Sequence, residues 1–296
     1  MLYGLASKGK IFWIYKFVIN RSAVRLRAGA PHFLIMLKKI IHKLLDNFGY
    51  KISKKDDLTN FKLDALNKYL NTNTLNKDLK NENFVSFISK NYLKSNSQIY
   101  QDLFVDFILN KKDGFYCEVG ALDGVKFSNT LYLHNKLNWS GILCEPQRSN
   151  HDKIKLNRPN DILIKEPVFS KIDQKVIFTE LENGRSFIDK KDINLRDKTT
   201  YELKTVTLND IFKNNLNSRK INYLSIDTEG SEYEIIKALD FDKYYPEIIT
   251  IEHNYNKIER NRIYNFLKSK NYNRIFKNLS RFDDWYCRPI KDSSFL

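Results

Sequence analysis

The stretch FYCEVGALDG, residues 115–124, decides the fold. A short run of strand-forming residues carries an acid, Glu118, near its end, and Gly120 and Gly124 then let the chain turn sharply and approach a ligand closely. Two other segments repeat the design. SGILCEP (140–146) leads to Glu145, and INYLSIDTEG (221–230) leads to Asp227 and Glu229. Apolar strands that each finish on a carboxylate are the layout of a doubly wound sheet binding a ligand across the carboxyl ends of its strands. An acid on such a rigid element can be aimed at the paired hydroxyls of a ribose.

Strand and helix alternate outward from that core. SQIYQDLFVDFILN (97–110) reads as a helix capped by Ser97 leading into the sheet, and residues near 125–137 as the helix after the first strand. A polar helix ending near Pro159 follows SGILCEP. DILIKEPVF (161–169) and KVIFTEL (175–181) read as strands, with the second a hairpin partner of the first. A polar loop spans about 182–198, followed by a short capped helix in TLNDIFKNN (207–215). Beyond INYLSID, the order is a helix in SEYEIIKALDFDKY (231–244), a strand in EIITIEHN (247–254) and a helix in NKIERNRIYNFLKSKN (256–271). NRIFKNLSRFDDWYCRP (273–289) closes the chain as two strands around an Asp283–Asp284 turn. The expected class is α/β: a Rossmann-like, doubly wound, mostly parallel sheet with an antiparallel C-terminal edge strand and a helical N-terminal extension.

Bulk properties agree with a soluble globular α/β protein. The 296 residues are 42% hydrophobic and 29% charged, with only ten glycines and six prolines. Net charge is +15, but residues 1–60 hold 12 Lys or Arg against three Asp, so +9 of it sits at the amino terminus. The expected division is therefore a basic extension over 1–96 and a Rossmann-like domain over 97–296. From Met36, MLKKIIHKLLDNFGYKISKK reads as a basic amphipathic helix, with Leu37, Ile40, Ile41, Leu44 and Leu45 on one face. Two readings stay open for residues 1–55: peripheral contact with an anionic membrane surface, or the simpler one of a helix packed on its own domain. Residues 1–35 need not belong to the native chain, since Met36 also reads as a start. No segment is apolar enough to span a bilayer, and Cys117, Cys144 and Cys287 read as buried thiols of a reducing, cytoplasmic compartment. Nothing resembles a stacking platform or groove-reading motif for nucleic acid.

The first loop narrows the ligand. A dinucleotide fingerprint needs G-x-G-x-x-G, whereas here Gly120 and Gly124 are separated by three residues that include Asp123. A carboxylate there repels a pyrophosphate and attracts the ammonium or sulfonium of S-adenosylmethionine. Glu145 stands 25 residues beyond Gly120, where it can accept from both ribose hydroxyls or simply start a helix before Pro146. Asp227, at the end of its strand, faces the reacting centre in this reading, while Glu229 and Glu232 favour the positive helix terminus. Glu252-His253-Asn254 occupies the equivalent place on the fifth strand as general base, donor to substrate or, with Asp227, part of a divalent-metal site. A lone His is more often structural, so no metal ligand is assigned. Glu166-Pro167-Val168 should border the adenine, and Ser128 and Asn129 either donate to the cofactor or cap a helix.

EVGALDGVKFSNT, WSGILCEP, LSIDTEGSEYEII and ITIEHN, in that order and preceded by SQIYQD, resemble the FkbM family of S-adenosylmethionine-dependent methyltransferases over roughly residues 97–290. The resemblance implies cofactor contacts at Glu118, Gly120, Asp123, Gly124 and Glu145, with Asp227 near the reacting centre. It also implies O-methylation of a sugar, glycan or other small-molecule hydroxyl; on the residues themselves, Asp227 and His253, with Glu252 supporting, are the candidates for taking up the hydroxyl proton. The loop lacks the G-x-G-x-G of the commonest methyltransferases, which leaves open what holds the methionine carboxylate. Two alternatives remain: a nucleotide-sugar or NAD-dependent enzyme on the same sheet, and a noncatalytic basic protein binding membrane or nucleic acid. Oligomeric state is not read from the sequence.

Overall fold

The computed structural model describes residues 62, 79–181, 186–188 and 198–289. All belong to the unit spanning 57–296. The basic helix read from Met36 and most of the 182–198 loop lie outside the described residues.

Strands β1 (Phe115–Val119), β2 (Ser140–Cys144) and β3 (Ile162–Ile164) run parallel. On the other side of β1 lie β7 (Tyr223–Ile226) and β8 (Ile248–Glu252), also parallel. The sheet closes with β9 (Asn273–Ile275) and β10 (Asp283–Cys287), giving the order β3-β2-β1-β7-β8-β10-β9. This is a Rossmann-like α/β fold. The antiparallel edge expected from the closing hairpin is present, and within it β10 inserts between β8 and β9, antiparallel to both. Asp283 and Asp284 open β10 instead of forming the turn, because Trp285 and Tyr286 behind them point to opposite faces of the sheet and are fully buried.

Period-2 alternation builds both cores. Tyr116, Leu143, Tyr223, Ile248 and Trp285 join one cluster; Cys117, Ile142, Leu224, Ile249 and Tyr286 join the other. The first is covered by α1 (Leu79–Asn91), α2 (Gln101–Leu109) and α3 (Leu131–Leu137). Phe84 of α1 stacks on Phe276 with centroids 4.5 Å apart, and Phe104 of α2 stacks on Trp285 at 4.8 Å. α5 (Leu208–Asn215), α6 (Glu232–Lys237) and α7 (Lys257–Ser269) cover the second. Helix starts follow their caps: Thr207 accepts from Asp210 N, and Asn256 accepts from Ile258 N and Glu259 N. Tyr100 holds the N-cap position of α2, and Ser97 reaches the helix from outside it, its hydroxyl accepting the Asp102 N–H at 3.4 Å. The same hydroxyl donates to Asp102 Oδ1 at 2.6 Å, and that carboxylate also takes the Asn96 N–H, so the acid gathers the loop and the helix begins four residues later.

Two readings change. DILI is the edge strand β3 of the main sheet, not half of a hairpin; β4 (Lys175–Leu181) pairs antiparallel with β5 (Phe187–Ile188) and β6 (Lys198–Lys204) in a separate three-stranded sheet. The alternation was there to find, since Val176 opposes Leu203 and Phe178 opposes Tyr201 on the covered face. The helix expected from about 125 starts at Leu131, because residues 125–130 are spent on a turn held by Glu118.

A buried ion pair ties that turn to α4 (His151–Asn157) and the loop beyond it. Arg158 Nε donates to Asp161 Oδ2 at 2.8 Å, its Nη1 donates to the Gly124 carbonyl at 3.0 Å and its Nη2 to Thr130 Oγ1 at 3.1 Å. Tyr116 and the Gly141 N–H complete the shell of Asp161. Removing the guanidinium strands a buried carboxylate, which costs about 3–5 kcal/mol. Arg158→Ala should therefore shift the urea unfolding midpoint downward by that equivalent, whereas replacement of an exposed lysine such as Lys155 should leave it within about 0.5 kcal/mol.

Candidate active site

The chain passes from β1 toward β2 and β3 on one side and later returns to β7 and β8 on the other, so β1 and β7 flank the switch point of the sheet. Ligands of open α/β sheets bind in the crevice at that point. A cleft of about 720 Å³ lies there, with Glu118, Gly120, Asn129, Glu145, Asp227 and Glu252 in its lining. The strand-end acids read from separate sequence segments thus face one cavity.

At Gly120 the chain leaving β1 lies against the backbone leaving β7. The glycine has a φ of +89°, and a Cβ there would sit 1.8 Å from the Asp227 carbonyl oxygen. Alanine at 120 combines left-handed strain of about 1–3 kcal/mol with displacement of the Asp227 backbone. Gly120→Ala should lower the stability read from the urea midpoint by at least about 2 kcal/mol.

Glu145 is buried, and each of its oxygens accepts one backbone N–H: Oε2 from Leu122 at 2.7 Å, Oε1 from Gln147 at 2.8 Å. The two bonds fix the carboxyl plane and leave a lone pair on each oxygen for a second donor. Burial pushes its pKa up to about 8, against the pull of those two bonds. Cys144, Pro146, Pro167, Val168, Phe178 and Ile188 form a mostly apolar wall of the same cleft. Pro167 and Val168 therefore border the cleft as read from sequence, while Glu166 is exposed and accepts the Lys165 N–H.

Glu118 faces inward but spends its oxygens on the chain. Asn129 N donates to Oε1 at 2.6 Å; Ser128 Oγ and Thr130 Oγ1 donate to Oε2 at 2.9 and 2.5 Å. Burial raises its pKa, opposed by the Arg158 charge and these donors. The consequence is the placement of Asn129, whose Nδ2 donates to Ser225 Oγ at 3.0 Å and whose Oδ1 is buried with no hydrogen-bond partner. An unpartnered acceptor in a cleft wall awaits a donor. Ser128 Oγ accepts the Thr130 and Leu131 N–H groups, the capping role. Asp123 and Gly124 lie in the loop without lining the cleft: Asp123 Oδ1 accepts the Val125 and Lys126 N–H groups, and Gly124 packs on Arg158.

Asp227, directly after β7, and Glu252, the last residue of β8, form a coupled pair in the cleft. Burial and the charges of Glu229 and Glu232 push Asp227 up to about 7, while a hydrogen bond from Glu252 opposes the rise. Burial and the Asp227 charge raise Glu252 as well, so the two carboxyls share a proton, one member ionised and the other neutral. Behind them Asp283 is raised by burial and by Asp227, and accepts from Gln101 Nε2 at 2.8 Å. Glu232 takes three donors on one oxygen, Thr228 N, Thr228 Oγ1 and Gly230 N, each at 2.9 Å, and holds the turn after β7. His253 is buried with both ring nitrogens engaged by backbone groups and is not part of the lining. Among the described residues no group of three or more His, Cys, Asp or Glu is arranged to hold a metal ion. Sequence reading missed Asn129 as an acceptor and Phe127 and Tyr255 as lining residues; Phe127 and Asn129 sit inside one quoted motif and Tyr255 directly after another, and Phe127 and Tyr255 both lie in left-handed turns.

The site is a switch-point cleft on a Rossmann-like sheet, with five carboxyl groups and one lysine, Lys126, in its lining. Residues 118–274 match the methyltransferase FkbM domain, and the chain belongs to that family. A crystal structure of methyltransferase FkbM from Methylobacillus flagellatus KT is similar at 11% identity and a TM-score of 0.40, over 71% of this chain. The chain spans 62% of the length of that protein. No curated protein matches.

Proposed function

We propose that the protein transfers a methyl group from S-adenosylmethionine to a hydroxyl of a sugar, glycan or other small molecule. The observation that carries the reading is the convergence of Glu145, Asn129 and Asp227 on one cleft. The residues fit the cofactor. Glu145 has spare lone pairs for both ribose hydroxyls, Val168, Phe178 and Ile188 offer an apolar wall to the adenine, and the orphan Asn129 Oδ1 suits the ammonium of the methionine moiety. When bound, the cofactor supplies an electrophilic methyl on a sulfonium.

What this chain contributes is orientation and a place for the proton. Asp227 and Glu252 present one negative charge and one proton at the cleft, so the ionised member can accept the acceptor hydroxyl's proton while the other stays neutral. No covalent enzyme intermediate is needed, and alignment of the two reactants can supply much of the acceleration. Carboxyl-rich walls disfavour a pyrophosphate, which sets the NAD and nucleotide-sugar readings behind this one. The test is calorimetry with S-adenosylmethionine and S-adenosylhomocysteine, followed by transfer of labelled methyl to hydroxyl-bearing and amine-bearing acceptors. Micromolar binding and label on hydroxyls are expected; binding of neither nucleoside by folded protein would overturn the reading.

A further inference from the structure

His253 stood out in the sequence as a base, yet its geometry serves another purpose. Nε2 lies 3.1 Å from the Asp283 carbonyl oxygen, to which it can only donate, so the proton sits on Nε2. Nδ1 then carries the lone pair, and the Tyr255 N–H donates to it at 3.1 Å. Burial holds the imidazole pKa below its ordinary value, in keeping with a neutral ring. The same turn is fastened from its backbone: His253 N and Asn254 N both donate to the Phe282 carbonyl, at 2.9 and 3.1 Å, and Asn256 N donates to the His253 carbonyl at 2.7 Å.

This clamp stabilises a backbone that side chains rarely adopt. Asn254 has φ 44° and Tyr255 φ 59°, and a bulky residue at positive φ persists only where its surroundings impose it. The result is a tyrosine, 58% exposed as a residue, in the cleft lining, its ring edge-on to Phe282 with centroids 6.3 Å apart. Phe127, at φ 61°, lines the same cleft. Tyr255 follows Glu252 by three residues, which puts it at the Asp227–Glu252 end of the site. An exposed aromatic ring held by its backbone, in the same cleft lining as Asp227 and Glu252, is a platform for the flat apolar face of a ring whose hydroxyls lie at its edge.

We propose that Tyr255 is the acceptor-binding platform and that His253 is the positioning residue that sets it. The proposal rests on the methyl-transfer reading for the identity of the site. It is tested on the full chain saturated with S-adenosylhomocysteine, using methyl glycosides of hexoses and 6-deoxyhexoses as probes in saturation-transfer NMR and calorimetry. At least one glycoside should bind the wild type. Tyr255→Ala should weaken it tenfold or more and Tyr255→Phe less than threefold. His253→Asn, whose Oδ1 can take the Tyr255 N–H, should stay within threefold of wild type, whereas His253→Gln, which can reach only Asp283, should lose tenfold. S-adenosylhomocysteine affinity should stay within twofold throughout, which also shows that each variant is folded.

Three results would overturn the assignment: no glycoside bound by the wild type, full glycoside affinity in Tyr255→Ala, or equal behaviour of His253→Gln and His253→Asn. Failure of the wild type to bind S-adenosylhomocysteine would instead sink the methyl-transfer reading, so the two failures are told apart.

Discussion

Glu145→Ala is expected to weaken S-adenosylmethionine binding by at least about 100-fold while the protein stays folded. Hydrogen bonds to a charged acceptor contribute about 1.5–3 kcal/mol each, and two ribose hydroxyls would be lost together. The variant also orphans the Leu122 and Gln147 N–H groups that Glu145 now satisfies, so the loop between β1 and β2 loses its aim as well. Glu145→Gln keeps one acceptor oxygen and should lose about tenfold. Because burial raises the Glu145 pKa to about 8, wild-type affinity should increase as pH rises through that value, and Glu145→Gln should lack this increment. Calorimetry at pH 6.5 and 9 on wild type and Glu145→Gln reads the difference between their pH profiles, and wild-type affinity in Glu145→Ala would remove Glu145 from the site.

The sequence disclosed the sheet because its central strands are buried on both faces and read as short apolar runs between turn residues. Strand-end acids were legible for the same reason: a charge directly after such a run must lie at the rim. What each acid does there was not legible, since hydrogen bonding decides it. Glu118 looks like Glu145 in sequence, yet its oxygens are consumed by residues 128–130, and its influence reaches the cleft through Asn129. Asp123 turns back onto its own loop. β6 escaped notice because KTTYELK is polar on its outer face, and only pairing with β4 shows that Tyr201 and Leu203 share an inner one. Asp283 and Asp284 looked like a turn because aspartates usually are; here one is buried and accepts from Gln101 Nε2 at 2.8 Å, and the other is paired with Arg260 and Arg274 at 2.7 and 3.0 Å.

Asp227→Asn is expected to reduce kcat by about 10²–10⁴ while S-adenosylmethionine affinity changes far less, the range for loss of a positioned general base. In the wild type the rate should rise with pH through about 7, where Asp227 becomes the proton acceptor, and the variant should lose that limb. Stability must move the other way. The folded pKa of Asp227 lies above its ordinary 3.8, so the folded chain binds the extra proton. Its contribution is complete below about 3.8 and is lost as pH rises through about 7. An amide cannot ionise, so Asp227→Asn should be at least as stable as the wild type at pH 8.5 even though it is nearly inactive. A loss of rate accompanied by a lower urea midpoint at that pH would assign Asp227 to the architecture of the β7 turn; loss of rate with the midpoint preserved assigns it to the proton.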